Sequence, residues 1–154
     1  MLIVRDLSFD RIVPIAADLC AADLAELDAA GIADAAAMLR EAVPWCLWAQ
    51  VAEWDHKPIA IFGVRPHERL GVPWMLTTCH MDGAASSAVA IAARRAVMRM
   101  RSDFSKLANL VHRRNKRAIR FVEALGFTVH RDTPRGPNAE FYLFDWEREE
   151  CAIR

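Results

Sequence analysis

Glu53, Asp55, His80, His112 and Tyr142 are the side chains placed to take a proton from a reacting group or to hold one for it, the work of general acid–base chemistry. Glu53 and Asp55 fall in "EWDHKP", which reads first as a hairpin turn, and Tyr142 offers a hydroxyl on a late strand. Lone histidines are more often packing or surface residues than bases, so no member of this set stands out. Cys20, Cys46, Cys79 and Cys151 are scattered, with no Cys-x-x-Cys pair and no histidine at ligand spacing. That argues against zinc and against a disulfide framework; no metal is expected, and the thiols read as buried or idle.

The charged residues are unevenly spread. Formal net charge is zero over 154 residues, yet residues 1–43 hold eight acids against three basic residues, and residues 94–120 hold ten basic residues against one acid. This separation gives either solvated helix faces or an acidic end and a basic patch. A basic patch could meet an acidic partner, the chain's own acidic helices in self-association, or DNA phosphates without sequence preference, through Arg94, Arg95, Arg99, Arg113 and Arg114. No sequence-reading nucleic-acid motif accompanies it. Apolar runs fall short of the roughly 20 residues that cross a bilayer, and "MLIVRDLSFD" lacks the pattern of a signal peptide. The expected location is the cytoplasm, with no membrane contact.

The elements that must position these residues follow from periodicity. "LIVRDLSF" reads as a strand, "DRIVPIAADLCAADLAELDAAG" as one helix stopped at Gly31, and "ADAAAMLREAV" as a second helix ending before Pro44. "WCLWAQVAEW", the turn "DHKP" and "IAIFGV" form a hairpin, and "VPWMLTT" is a third strand. From Ser86 to Phe104, Val89, Ala93, Val97, Met100 and Phe104 share one side of a helix. "LANLV" is a strand, and Asn115 caps a last helix that buries Ala118, Ile119, Val122 and Leu125 and ends at Gly126. "FTVHRD" and "EFYLFDW" are two strands joined by the turn-rich "TPRGPN". The tryptophans, residues 45, 48, 54, 74 and 146, fall on strands or their ends and read mostly as core. Residues 1–146 form one domain and 147–154 a polar tail.

This element order, with "NKRAIRFVEALGF", resembles the GNAT superfamily of acetyl-CoA-dependent N-acetyltransferases over nearly the whole chain. The resemblance implies one α/β (α+β) domain with a mixed six- to seven-stranded sheet and about four flanking helices. A narrower likeness, carried by "PIAIFGV", "PWMLTT", the Arg-rich helix, "LANLVHRRNKRAIRFVEALGF" and "EFYLFDW", is to the GNAT-like internal virion proteins of short-tailed phages.

In GNAT enzymes a glycine-rich loop at a helix start holds the cofactor pyrophosphate on backbone N–H groups. The matching segment, "TTCHMDGAASSA", has one glycine, Gly83, and places the carboxylate of Asp82 where phosphates should sit. If Asp82 or Ser86 caps the helix, its oxygen fills the same donors. The residues the resemblance assigns to a cofactor are Thr77, Thr78, Ser86, Ser87 and Asn115, with the asparagine equally explained as a helix cap. Val122 stands where active members commonly carry a proton-donating tyrosine. The expectation is therefore a degenerate acetyl-CoA cleft with no cofactor, in a non-catalytic virion or assembly protein. Such a protein would work through contacts with other virion proteins, first in the host cytoplasm and then in the particle. The alternative is an active N-acetyltransferase that binds acetyl-CoA and modifies a small amine or a protein amino group.

Overall fold

Strand β3 (Lys57–His67) is buried without interruption from Ile59 to Val64, as a central strand covered on both faces must be. It is flanked by β2 (Trp48–Trp54) and β4 (Leu70–Thr77) in the computed structural model, which describes residues 1–150. With β1 (Leu2–Asp6), β5 (Lys106–His112), β6 (Thr128–Arg135) and β7 (Phe141–Glu147) they form one seven-stranded sheet. Its order is β1-β2-β3-β4-β5-β7-β6, antiparallel throughout except between β4 and β5. The β2–β3 hairpin turns on Asp55 and His56, both at positive φ (48° and 68°), the conformation that a tight two-residue connection demands.

Helices cover both faces. Helix α4 (Gly83–Asp103) lays Ala85, Ala88, Val89, Ala92, Ala96, Val97 and Met100 on one side of the sheet. Beside it α5 (Lys116–Ala124) adds Ile119 and the half-buried Val122, and ends at Gly126, whose φ of 95° closes the helix. On the opposite face Ile12 and Ile15 of α1 (Ile12–Ala17) and Leu39 of α3 (Ala35–Ala42) pack on Val51, Ile61 and Leu76. The mixed α/β architecture expected from the sequence is thus present.

The acidic N-terminal segment departs from its periodicity. In place of one helix to Gly31 it forms a 3-10 turn (Phe9–Arg11), α1, and a separate α2 (Ala21–Ala29). The break falls where Leu19 buries itself and pairs as an isolated antiparallel bridge with Thr78, just past the end of β4. The Cys20 N–H donates to the Thr77 carbonyl at 2.9 Å and the Cys79 N–H to the Asp18 carbonyl at 2.8 Å. Two strong inter-segment hydrogen bonds outweigh the modest preference of an alanine-rich run for continued helix. Two ends also shift: Val43–Trp45 is a 3-10 turn that leaves Trp45 exposed, and β6 runs through Pro134 to Arg135. The supposed tail contributes Glu147 to β7, and its residues 151–154 lie outside the described residues.

Between β4 and β5 the ladder holds at one pair, Gly71 opposite Leu107. Beyond it the two parallel strands part toward their C-terminal ends at Thr77 and His112. Gly71 sits under Phe104 and Leu107, where an added Cβ would lie 2.7 Å from Phe104 Cδ2 and 2.9 Å from Leu107 Cδ2. Gly71→Ala is expected to lower unfolding free energy by about 1–3 kcal/mol through overpacking. Gly83→Ala, where a Cβ meets nothing within 4 Å, should stay within about 0.5 kcal/mol of the parent in the same denaturant titration. Equal stability of the two variants would show that the β4–β5 pivot tolerates a side chain.

Candidate active site at the parting of two strands

Parted strands expose edge groups that hydrogen-bond in a continuous sheet. On the β4 edge, the Pro73 carbonyl accepts from Asn109 Nδ2 of β5 at 2.7 Å, a side chain reaching across the gap. At the end of β4, Asp23 Oδ2 accepts from the Thr77 N–H at 2.6 Å and from Thr77 Oγ1 at 2.8 Å. Thr77 has given its single hydroxyl proton to Asp23, so the Cys20 thiol, 3.1 Å away, is the donor to Thr77 Oγ1. At the end of β5, Glu26 Oε1 accepts the His112 N–H. Asp23 and Glu26 are three residues apart on α2, hence on one helical face, and each meets one of the two diverging strands. Since Pro73 and Thr77 direct their edge groups toward β5, the alternation of a strand turns Met75 N–H and C=O the same way. They lie on the edge where the ladder to β5 has no pair beyond Gly71–Leu107.

A cavity of about 390 Å³ opens beside this point, lined by Ala22, Ala25, Glu26 and Ala29 of α2 with His112, Arg114, Asn115 and Glu140. Burial raises the Glu26 carboxyl above the ordinary carboxylate range. The His112 amide opposes that shift, the negative charge of Asp23 adds to it, and the Asn115 amide and the His112 ring oppose it more weakly. His112 Nδ1 accepts from the Arg114 N–H at 3.2 Å, which leaves the proton on Nε2, 3.2 Å from Glu140 Oε2. The ring also stands edge-on to Phe141 with centroids 5.1 Å apart. With both nitrogens engaged, His112 orients Glu140 and has no lone pair to offer a substrate.

The expected residues separate into those this site gathers and those it does not. Thr77 is at the parting, and Asn115 caps α5, its Oδ1 accepting from Ala118 N at 3.2 Å while Nδ2 reaches Glu26 Oε2 at 3.5 Å. Thr78 faces away, donating to the Pro58 carbonyl at 2.7 Å. At the head of α4, Ser86 is half-buried and Ser87 exposed. Glu53 is 8% exposed and held by Arg11 at 2.9 Å and Arg5 at 3.3 Å, Asp55 binds the N-terminal amine at 2.9 Å, and His80 meets Asp18 at 3.3 Å. Tyr142 packs on the α4–α5 core, on the strand beyond β5. The carboxylates at the parting, Asp23 and Glu26, escaped the sequence reading. Their only signal is "ADLAE", two acids at i and i+3 in a helix with no buried residue.

The head of α4 tests whether a pyrophosphate fits. Asp82 is the cap, accepting from Ala85 N at 3.5 Å, and the Ser86 N–H is taken by the Asp82 carbonyl at 2.6 Å. Gly83 and Ala84 are exposed, their amides have no partner among the described residues, and the space over Gly83 is open. The Asp82 carboxylate is exposed, where water and salt screen it, and its one capping contact is long. The segment therefore retains the free first-turn donors that anion binding requires, and the residues present fit the group.

Neither a protein-family model nor a curated relative matches the sequence, whereas solved structures match the fold over almost its whole length. A GNAT-family acetyltransferase from Streptococcus pneumoniae superposes with a TM-score of 0.62 at 11% identity, covering 97% of this chain and 100% of that one. yncA from Salmonella typhimurium, solved with its cofactor acetyl-CoA, gives 0.63 at 13% identity over 99% and 96%. The aminoglycoside acetyltransferase AAC(6')-Ib, in complex with coenzyme A, gives 0.69 at 14% identity over 96% and 95%. These findings correct three expectations: the non-catalytic virion or assembly role, the leaning against an enzyme, and the absence of a cofactor. The physical reason is that Asp82 does cap α4, as expected, but its carboxylate takes the Ala85 amide alone, lies exposed to water, and leaves the Gly83 and Ala84 amides free. The chain has the mixed seven-stranded fold of the GNAT acetyltransferases.

Proposed function

We propose that the protein is an acetyl-CoA-dependent N-acetyltransferase whose acceptor is an amine entering the cavity beside α2. The observation that carries this reading is the parting of β4 and β5 with an ionisable carboxylate, Glu26, held at its mouth by a strand-end amide. Matches to structures solved with acetyl-CoA or coenzyme A support it.

The amides of Gly83 and Ala84 would hold the pyrophosphate at the head of α4, with the hydroxyls of Ser86 and Ser87 near by. The Met75 N–H, on the β4 edge beyond the last ladder pair, would polarise the acyl carbonyl. When bound, acetyl-CoA supplies an acyl group on a thiol of ordinary acidity, about 8.5 for a free thiol, which leaves without a side-chain acid. Val122, turned into the α4–α5 core, therefore removes little that the reaction needs. Glu26 and Glu140 give the cavity negative charge that draws in a protonated amine. With its raised pKa, Glu26 is matched to take the amine's proton, directly or through one water.

Calorimetric titration should give acetyl-CoA binding tighter than about 10 μM, roughly −7 kcal/mol. Thiol release with a panel of polyamines, amino sugars and peptide N-termini should then identify the acceptor. Lack of binding by both acetyl-CoA and coenzyme A would end this reading.

Glu26→Gln separates chemistry from stability. A raised folded-state pKa means the protonated form is favoured by folding, so that contribution is complete below the unfolded-state pKa and is lost as pH rises through the folded one. Ionised Glu26 thus carries a burial cost at neutral pH. Glutamine keeps an oxygen for the His112 amide without the charge, so the variant should melt no lower than the parent at about pH 7, with any advantage fading below about pH 4. Its kcat/KM should fall about 100-fold or more. The parent's rise in rate, placed above the usual carboxylate range, should vanish with it.

A further inference from the structure

We infer that Asp18, Cys79 and His80 form a binding site for a zinc-like divalent cation at the junction of α1 and α2 with the end of β4. Their ligand atoms, a carboxylate oxygen, a thiol sulfur and an imidazole nitrogen, all lie within 4.8 Å of one another. Asp18 Oδ2 and His80 Nε2 are already 3.3 Å apart. Tetrahedral zinc with bond lengths near 2.0–2.3 Å sets its donors about 3.3–3.8 Å apart, so a small rotation of the thiol completes a three-donor face. A mixed set of sulfur, nitrogen and oxygen suits zinc or cobalt over magnesium or calcium, which take oxygen.

Backbone bonding, not chance side-chain placement, brings the donors together. Sixty residues separate Asp18 from Cys79 and His80, yet the two segments are joined by the Leu19–Thr78 bridge and by the Cys79 N–H on the Asp18 carbonyl at 2.8 Å. His80 is fixed in turn by its N–H on Thr78 Oγ1 at 3.3 Å, and Thr78 by its bond to Pro58. Such a frame pre-forms the site and lowers the entropic cost of closing it around an ion. Asp18 and Cys79 are exposed and His80 partly so, which leaves the fourth position to water. An ion here would fasten the α1–α2 junction to β4, immediately before the helix that carries Asp23 and Glu26.

The test uses the full chain under a non-thiol reductant, titrated with zinc chloride in competition with a chromophoric chelator. One zinc per chain is expected, with a dissociation constant below about 10 μM. Cobalt(II) should give a thiolate charge-transfer band. Cys79→Ser, which changes one atom at an exposed position, should abolish the band and weaken zinc at least about tenfold, and His80→Ala should weaken zinc by a similar factor. Cys46→Ser, at a thiol bonded to Trp74, should leave both signals in place. Unfolding without metal provides the check that each variant is folded. Zinc should raise the melting temperature of the parent and not that of Cys79→Ser. Zinc binding that survives Cys79→Ser, or a parent that binds no tighter than about 100 μM, overturns the site. Both readouts are independent of catalysis, so they judge the metal site whatever the fate of the acetyltransferase reading.

Discussion

Unpaired backbone groups between β4 and β5 set the terms for the whole molecule. A parallel pair that holds only at Gly71–Leu107 leaves donors and acceptors on two edges, and each one that is buried without a partner costs about 1–3 kcal/mol. The chain meets this with side chains from three places: Asn109 on the Pro73 carbonyl, Asp23 on the Thr77 amide and Glu26 on the His112 amide. Side chains close a gap less completely than a strand does. What stays open is an edge with the Met75 amide on it, and that opening separates the β1–β4 half of the sheet from the β5–β7–β6 half.

Helix α2 lives on this bargain. It contributes no fully buried apolar side chain; half-buried Leu27 packs on the α1–α3 cluster, and the two carboxylates and the Cys20–Thr77 contacts complete its docking. Hydrogen bonds to charged groups contribute about 1.5–3 kcal/mol each in such positions, less than a well-packed helix face would. Elements held in this way open at lower free energy than the core they cover. The same helix walls the cavity, so the carboxylates that dock it are also the ones that face the proposed acceptor.

The fold was legible because it follows local rules. Period-two strands, the Asp55–His56 turn, the apolar stripe of α4, the Asn115 cap and the Gly126 stop each sit where residue type alone predicts them. The break at Asp18–Cys20 was not legible, since an alanine-rich run says helix and the reason for stopping, the partner Thr78, lies 59 residues on from Leu19. Asp23 and Glu26 read as solvated acids for the same reason: Glu26 is buried by the end of β5, which no window around residue 26 contains. Cys79 and His80 looked idle until Asp18 was folded onto them. Local signals give elements; sites assembled across the chain need the pairing of distant segments.

Asp82, which caps α4 and still leaves two first-turn amides free, shows what such a cleft depends on. A glycine-rich loop serves an anion because its amides are free and nothing crowds them, and neither condition names glycine as such. Gly83 and Ala84 at the head of α4 meet both with one glycine and one alanine, because the helix itself leaves its first-turn donors without partners. Likewise an edge amide on β4 comes from strand geometry, whatever the side chain of Met75. A site made from backbone donors leaves few residues that sequence comparison can hold fixed. It is in keeping with chains only 11–14% identical sharing this fold at TM-scores of 0.62–0.69 while no family model or curated relative matches. It also locates the individuality of this protein in the groups that backbone geometry does not dictate: the acids of α2, the His112–Glu140 pair, and the three unlike ligands where β4 ends.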